Sequence, residues 1–330
     1  MNFSTNELKQ KILDLQDIHF DELAITIFNY QYQNNTIYRQ FVDYLGVHPS
    51  KINQIDQIPF LPIQSFKWHI IKSKNWNSSV IFKSSSTTGS GQSQHHLRDV
   101  SWYQKIAERC FTDRYGDLSS FEWYGLLPSY LENGDSSLVY MVDHFINRSN
   151  NTGGFFLTDF KSLQDKMYRS DPEKIPILIG ISYALLDYAK DFSVPGNCWV
   201  METGGMKGRR KEMPKEALHN QLMDQLHVTS IYSEYGMTEL LSQSYATSNG
   251  KFQQPFTQKI LIKDVRDPMC VVEMNQTGLI NIIDLANIDT CSFIATDDLG
   301  IKLNEKEFMV RGRSDGSEVR GCNLLIDGIL

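Results

Sequence analysis

Three short apolar runs constrain the fold of this chain most strongly. "WYGLLPS" (123–129), "IPILIGIS" (175–182) and "NCWVMETGG" (197–205) are apolar without alternation and end in small or polar residues. Strands read this way when both faces are buried, as in a parallel sheet covered by helices. Between and after them lie segments of helical character, "YALLDYAKDF" and "PKEALHNQLMDQL". The alternation predicts an α/β fold with helices layered on a mostly parallel sheet.

The flanks differ from this middle. Leu8, Ile12, Leu15 and Ile18, then Leu23, Ile27 and Phe28, recur at helical spacing and predict a helical N-terminal segment over 1–55. Pro59 and Pro62 in "IPFLPIQSFKWHII" force an extended stretch, which opens an α/β core over 56–260. From there "GLINIIDLANI" and "SFIATDDLG" read as strands joined by acidic turns, a β-rich subdomain over 261–330. At 330 residues the chain exceeds what one core normally serves, so subdomains are expected.

Charge narrows the function classes. The formal net charge of −7 gives no reason to expect nucleic acid or an anionic membrane as partner. No apolar run approaches about 20 residues and no charged-then-apolar leader opens the chain, so a cytoplasmic location is expected. Cys110, Cys198, Cys270, Cys291 and Cys322 show neither a CxxC nor a His/Cys metal spacing, which argues against structural zinc and a disulfide framework.

One stretch is compositionally unusual: "KSSSTTGSGQSQHH", Lys83 to His96. It follows the apolar "VIF" and precedes "VSWYQKIAERCFTDRYG", whose periodicity predicts a helix with a glycine stop. That context suggests a strand, a loop and a helix, with free backbone N–H groups turned toward an anion. Gly89 and Gly91 allow positive φ, and Ser85, Ser86, Thr87 and Thr88 add hydroxyl donors. No Lys-Ser/Thr pair follows the glycine, so this is not a GxxxxGK[ST] loop. By itself the stretch reads equally as a polar surface linker.

Further motifs fall in order behind it. "YGMTE" at 235–239, "TDDLG" at 296–300 and "VRGRSDGSEVRG" at 310–321, together with the Ser/Thr-Gly stretch, resemble the adenylate-forming superfamily of acyl and aryl ligases. Within it, "IPFLPIQSFK", "MVDHFI" at 141–146 and the ending "RGCNLLI" are similar to the acyl-protein synthetases of bacterial bioluminescence operons. The resemblance implies the large N-terminal domain of that superfamily, ATP and Mg²⁺ as cofactors, and a fatty or other carboxylic acid as substrate. It implies activation of the acid as an acyl-adenylate and capture of the acyl group as a thioester on a cysteine near the C-terminus. An acyl-CoA reductase, an acyltransferase or a carrier protein would then receive it.

Residue roles follow from the same resemblance. Ser85, Ser86, Thr87, Thr88 and Gly89 would wrap the β- and γ-phosphates, with Thr88 reaching Mg²⁺. Tyr235 and Gly236 would meet adenine, Thr238 the α-phosphate, and Glu239 the metal. Asp298 would hold the ribose, Arg313 would donate to the ribose or a phosphate, and Gly204 and Gly205 would let the backbone approach adenine. Cys322 would be the acyl acceptor, with Arg311, Arg313 and Arg320 close in sequence to favour its thiolate.

Plainer readings stand beside these. Thr238-Glu239 could cap a helix, Asp297 and Asp298 could be turn carboxylates, Cys322 could pack in an apolar tail, and His95 and His96 could lie on the surface or touch phosphate. The sequence departs from the superfamily pattern at Ser86 and Asp297, where glycine is usual. Thioester-forming members carry a further C-terminal domain with a catalytic lysine, whereas the sequence here runs to Leu330. A main-domain cation, Lys207 or an arginine of "KGRRK", or a second chain, would then do that work. Two other functions fit the motifs: acyl transfer to coenzyme A or a carrier protein, and a non-catalytic nucleotide-binding scaffold.

Overall fold

In a computed structural model of the chain, the description covers residues 3–84, 91–127, 134–150, 153–204, 213–247 and 249–314. The N-terminal segment is helical as predicted, with α1 (Thr5–Leu13), α2 (Phe20–Asn34) and α3 (Thr36–Tyr44). Ser4 and Glu7 form a reciprocal capping box on α1, and Asn35 caps α3 through its side chain. The proline-bounded stretch contributes β1 (Leu61–Pro62), but Ser65–Trp68 then winds into a short helix, α4.

The Ser/Thr-Gly region departs from the expectation. Its flanks are β2 (Val80–Lys83) and β3 (Gln94–Leu97), paired antiparallel with Val80 opposite Leu97 and Lys83 opposite Gln94. The described ends of the unusual stretch therefore pair as two strands, and the helix begins only after β3, at α5 (Val100–Tyr115). The physical reason is Asp99, whose side chain accepts the Ser101 N–H and fixes the helix start beyond the second strand. α5 stops at Gly116 as the sequence predicts.

The middle of the chain alternates as expected: β4 (Phe121–Leu126), α6 (Ser137–Arg148), β5 (Gly154–Phe155), α7 (Phe160–Met167), β6 (Ile175–Ile181), α8 (Ser182–Tyr188), β7 (Trp199–Thr203), α9 (Lys215–Leu226) and β8 (Ile231–Tyr235). Strands β5, β4, β6, β7 and β8 are neighbours in that order and run parallel. The unbroken apolar reading of β6 has its cause in two cores. Ile177 and Ile179 face one core with Trp123, Met201 and Phe145, while Leu178 faces another with Leu185, Val200 and Leu222.

The tail is β-rich, with β9 (Ser244–Ala246), β10 (Lys251–Gln253), β11 (Gln258–Lys263), β12 (Thr277–Asp284), β13 (Phe293–Lys302) and β14 (Glu307–Arg313). These strands run antiparallel and extend the same sheet from β8 through β9, β10, β14, β13 and β12 to β11, with β1 alongside β13. The result is an α/β fold with one large mixed sheet, parallel at the end formed by β8, β7, β6, β4 and β5 and antiparallel through the C-terminal strands, with β2 and β3 paired apart from it. Among the described residues no helix is long and apolar enough to cross a membrane.

Between β12 and β13 the chain makes a buried turn, Leu285–Asp289, that carries the N-terminal helices. The Gln31 amide donates to the Asn287 and Ile288 carbonyls at 3.0 and 3.3 Å and accepts the Ser292 N–H at 2.9 Å. Asn35 donates to the Thr290 carbonyl at 2.9 Å, and Lys9 pairs with Asp289 at 2.6 Å.

Candidate active site

The site lies where the parallel strands end and the antiparallel ones begin. β8 stops at Tyr235, and the next residues form a half-buried turn over 236–238 leading to buried Glu239. Several polar backbone groups of this turn and the residues after it meet side chains from far along the chain. The Thr238 carbonyl accepts from His95 Nδ1 at 2.9 Å, and the Glu239 carbonyl accepts from Asn287 Nδ2 at 2.8 Å. The Leu241 and Ser242 N–H groups both donate to Asp284 Oδ2 at 3.0 Å, and the Ser242 hydroxyl donates to Asp284 Oδ1 at 2.7 Å. Burial raises the Asp284 carboxyl above its ordinary range even with these donors in place.

Two of the predicted motifs meet at one carboxylate. Asp298 and Arg313 are directly paired across β13 and β14, and Arg313 Nε donates to Asp298 Oδ1 at 3.3 Å. The Tyr235 hydroxyl donates to the other oxygen, Oδ2, at 2.8 Å. The Tyr235 ring is set by Phe252 and Phe308, with centroids at 5.6 and 5.7 Å. Asp298 is 8% exposed, and burial raises its carboxyl against the opposing pull of Arg313. Asp297, the departure from the superfamily pattern, is taken by Gln64, whose amide lies 2.5 and 2.6 Å from its two oxygens.

Glu239 is 5% exposed and receives the Ser93 hydroxyl. Burial raises its carboxyl, while Ser93 and the positive charges of Arg313 and Lys67 oppose that rise. Ser93 also closes the hairpin stem: the Ser84 N–H donates to its carbonyl at 3.1 Å, and its own N–H donates to the Ser84 hydroxyl at 3.0 Å. The base of the Ser/Thr-Gly hairpin thus abuts the Thr238-Glu239 turn. Among the described residues no group of three or more His, Cys, Asp or Glu side chains could hold a metal ion. One buried carboxylate next to a hydroxyl suits a cation that takes its other ligands from phosphates and water.

Gly204 ends β7 at φ 69°, a conformation favouring glycine, and its carbonyl accepts from the Ser182 hydroxyl at 3.1 Å. Thr203 pairs in register with Glu234, so Gly204 stands level with Tyr235. Beneath lie two buried glutamates of opposite character. Burial alone would raise Glu202, but Lys215 at 2.6 Å, with His219 and Ser233, holds it at about 2. Burial pushes Glu234 up to about 7, with the Thr203 hydroxyl as its partner. Gly236 leaves room for this side chain, because a Cβ there would press on Glu234 Oε1 and force it to shift.

The structure therefore gathers Gly204, Tyr235, Gly236, Thr238, Glu239, Asp298 and Arg313 around one end of the sheet. Ser85, Ser86, Thr87, Thr88, Gly89, Gly205, Lys207 and Cys322 lie outside the described residues. His95 is buried at 1% exposure, not a surface residue, and burial lowers it to about 4, so it is neutral. His144 pairs with Glu108 at 3.1 Å between α6 and α5. The supports that sequence reading missed, Gln64, Ser93, Asp284 and Asn287, carry no local pattern that marks them.

Solved structures share this architecture. ATP-bound MatB from Rhodopseudomonas palustris matches with a TM-score of 0.55 at 13% identity, over 74% of this chain and 49% of that one. O-succinylbenzoate coenzyme A synthetase (MenE) from Bacillus subtilis, in complex with AMP, matches with a TM-score of 0.52 at 16% identity, over 72% and 50%. A 2-hydroxyisobutyryl-CoA ligase in complex with 2-HIB-AMP and CoA matches with a TM-score of 0.63 at 10% identity, over 90% and 70%. The chain spans about half the length of MatB and MenE. No protein-family model and no curated protein matches the sequence. The fold is the one these ligases share. At such identities the likeness speaks to fold, and function is argued from the site.

Proposed function

We propose that this chain activates a carboxylic acid with ATP and passes the acyl group to a thiol, as acyl-protein synthetases do with fatty acids. The observation that carries the reading is the meeting of Tyr235, Asp298 and Arg313 with Glu239 beside the stem of the Ser/Thr-Gly hairpin. The printed descriptions of the structural neighbours, ligases with ATP, AMP or an acyl-AMP bound, support it.

In this reading Asp298 holds the ribose, Arg313 donates to the ribose or a phosphate, Tyr235, Gly236, Gly204 and Gly205 meet adenine, and Thr238 donates to the α-phosphate. Ser85, Ser86, Thr87, Thr88 and Gly89 hold the β- and γ-phosphates. Glu239 and Thr88 hold Mg²⁺, which when bound supplies charge neutralisation on the phosphates. A carboxylate oxygen of the acid attacks the α-phosphorus, forming a P–O bond. The bond to the bridging α,β-oxygen breaks, and pyrophosphate leaves with the electron pair. The hydroxyls and Arg313 act because charge builds on phosphate oxygens during this step. The Cys322 thiolate then attacks the acyl carbon, and AMP leaves with the electrons of the acyl C–O bond. The acyl group goes on to an acyltransferase, an acyl-CoA reductase or a carrier protein.

The test is acid-dependent exchange of labelled pyrophosphate into ATP across a panel of fatty and aryl acids. Exchange with at least one acid is expected, and its absence with all of them would overturn the activation step. Coenzyme A as acceptor is the second reading, favoured by the coenzyme A ligases among the structural neighbours. Cys322→Ser separates the two: loss of hydroxylamine-labile acyl label supports self-acylation, and unchanged turnover with a pantetheine thiol supports the alternative.

A further inference from the structure

We infer that His95 is a positioning residue that sets the Thr238-Glu239 turn against the stem of the Ser/Thr-Gly hairpin. Its role in turnover rests on the function proposed above. The carbonyl of Thr238, 2.9 Å from Nδ1, can only accept, so Nδ1 carries the ring hydrogen. Nε2, at 3.0 Å from the Thr290 hydroxyl, is then the acceptor. Both ring nitrogens are used, and Phe66 packs edge-on at 5.5 Å to fix the ring plane. The tautomer is thus set by the partners on its two sides.

The position in the strand gives this contact its consequence. Residues two apart on a strand share a face, and Ser93 and His95 are such a pair on and beside β3. Ser93 meets the Glu239 carboxyl, and His95 meets the Thr238 carbonyl one residue before it. The second strand of the hairpin therefore grips the turn at two adjacent residues.

Thr290 is itself held. Its N–H donates to the Asn287 carbonyl at 2.9 Å, and its carbonyl accepts from Asn35 and from the Ser73 hydroxyl at 2.9 and 3.0 Å. Asn287 completes the frame by donating to the Glu239 carbonyl. The histidine is the link through which the hairpin and the rigid 284–292 segment hold one turn in common. Nothing in this arrangement places His95 against substrate.

Three substitutions and two readouts test the inference. His95→Asn leaves an amide donor near the Nδ1 position, His95→Gln moves it toward the Nε2 position, and His95→Leu removes it. Loss of a buried carbonyl's partner predicts a fall of about tenfold or more in kcat of ATP–pyrophosphate exchange for His95→Leu and His95→Gln. KM for ATP should change less than about threefold, and His95→Asn should recover most of the rate. Long-range ¹⁵N–¹H spectra of the wild type should show hydrogen on Nδ1. Hydrogen on Nε2, an unaffected His95→Leu enzyme, or equal losses in His95→Asn and His95→Gln would overturn the assignment. If the wild type exchanges pyrophosphate with no acid, the function fails but the positioning role is still decided. Amide hydrogen exchange over 240–242 should quicken about tenfold in His95→Leu, and unchanged protection would sink it.

Discussion

The Tyr235 hydroxyl donates to Asp298 across 2.8 Å and joins two motifs that lie 63 residues apart in the chain. This bond orders both groups before any ligand arrives. It also leaves Asp298 with a hydroxyl and a guanidinium as partners, so under the proposed function a ribose hydroxyl must fit beside them or displace one.

Removing either member should separate affinity from folding. Asp298→Asn keeps the shape but loses the charge that Arg313 faces, and ATP affinity measured by calorimetry should fall about tenfold or more. Tyr235→Phe removes one hydrogen bond to a charged group, a stability loss of roughly 1.5–3 kcal/mol in urea unfolding. An Asp298→Asn protein that binds ATP as tightly as the wild type would exclude a nucleotide role for this carboxylate.

Asp284 supports the turn from below through three donors of Leu241 and Ser242 and through the Ala286 N–H at 3.1 Å. Asp284→Ala leaves those donors buried without a partner. The expected cost is about 3–5 kcal/mol in urea unfolding, larger than for substitutions on the exposed surface.

Glu234 gives stability a pH dependence with a definite sign. Its ordinary value of 4.5 applies to the unfolded chain, and burial raises the folded value to about 7. Between those values the folded state binds more protons, so this group's stabilising contribution is full below pH 4.5 and is lost as pH rises through 7. The accumulated loss is roughly 3 kcal/mol. Glu234→Gln should flatten the difference in unfolding free energy between pH 5 and pH 8 by about that amount, and an unchanged slope would refute the assignment.

Gly236 and Glu234 should be coupled. Gly236→Ala places a methyl group against Glu234 Oε1 and is expected to cost about 1–3 kcal/mol. In a Glu234→Ala background the same change should cost much less, because the obstructing oxygen is gone. A double-mutant cycle measures the difference, and simple additivity would contradict the close approach.

The parts of the fold legible in the sequence share a physical cause. β6 and its neighbours announce themselves because burial on both faces demands an unbroken apolar run, and α1 to α3 because one face of each is buried at helical spacing. The motif residues Tyr235, Asp298 and Arg313 come together as their order in the chain implies. The hairpin escaped because β3, "QHHL", is short and polar at its start and carries no clear alternation. Asp284 and Asn287, and the partner that His95 takes, escaped for a deeper reason. These side chains act on backbone groups across 42 to 143 residues of sequence, and no local periodicity encodes such a bond.

The embrace of the 284–292 segment by Gln31 and Asn35 bears on protein engineering. Residues 5–44 are an internal brace, not a detachable prefix, since cutting them away would take one hydrogen-bond donor each from the carbonyls at Asn287, Ile288 and Thr290. A graft that carries this end of the sheet into another protein must bring its first three helices with it, or the transplanted floor will sag.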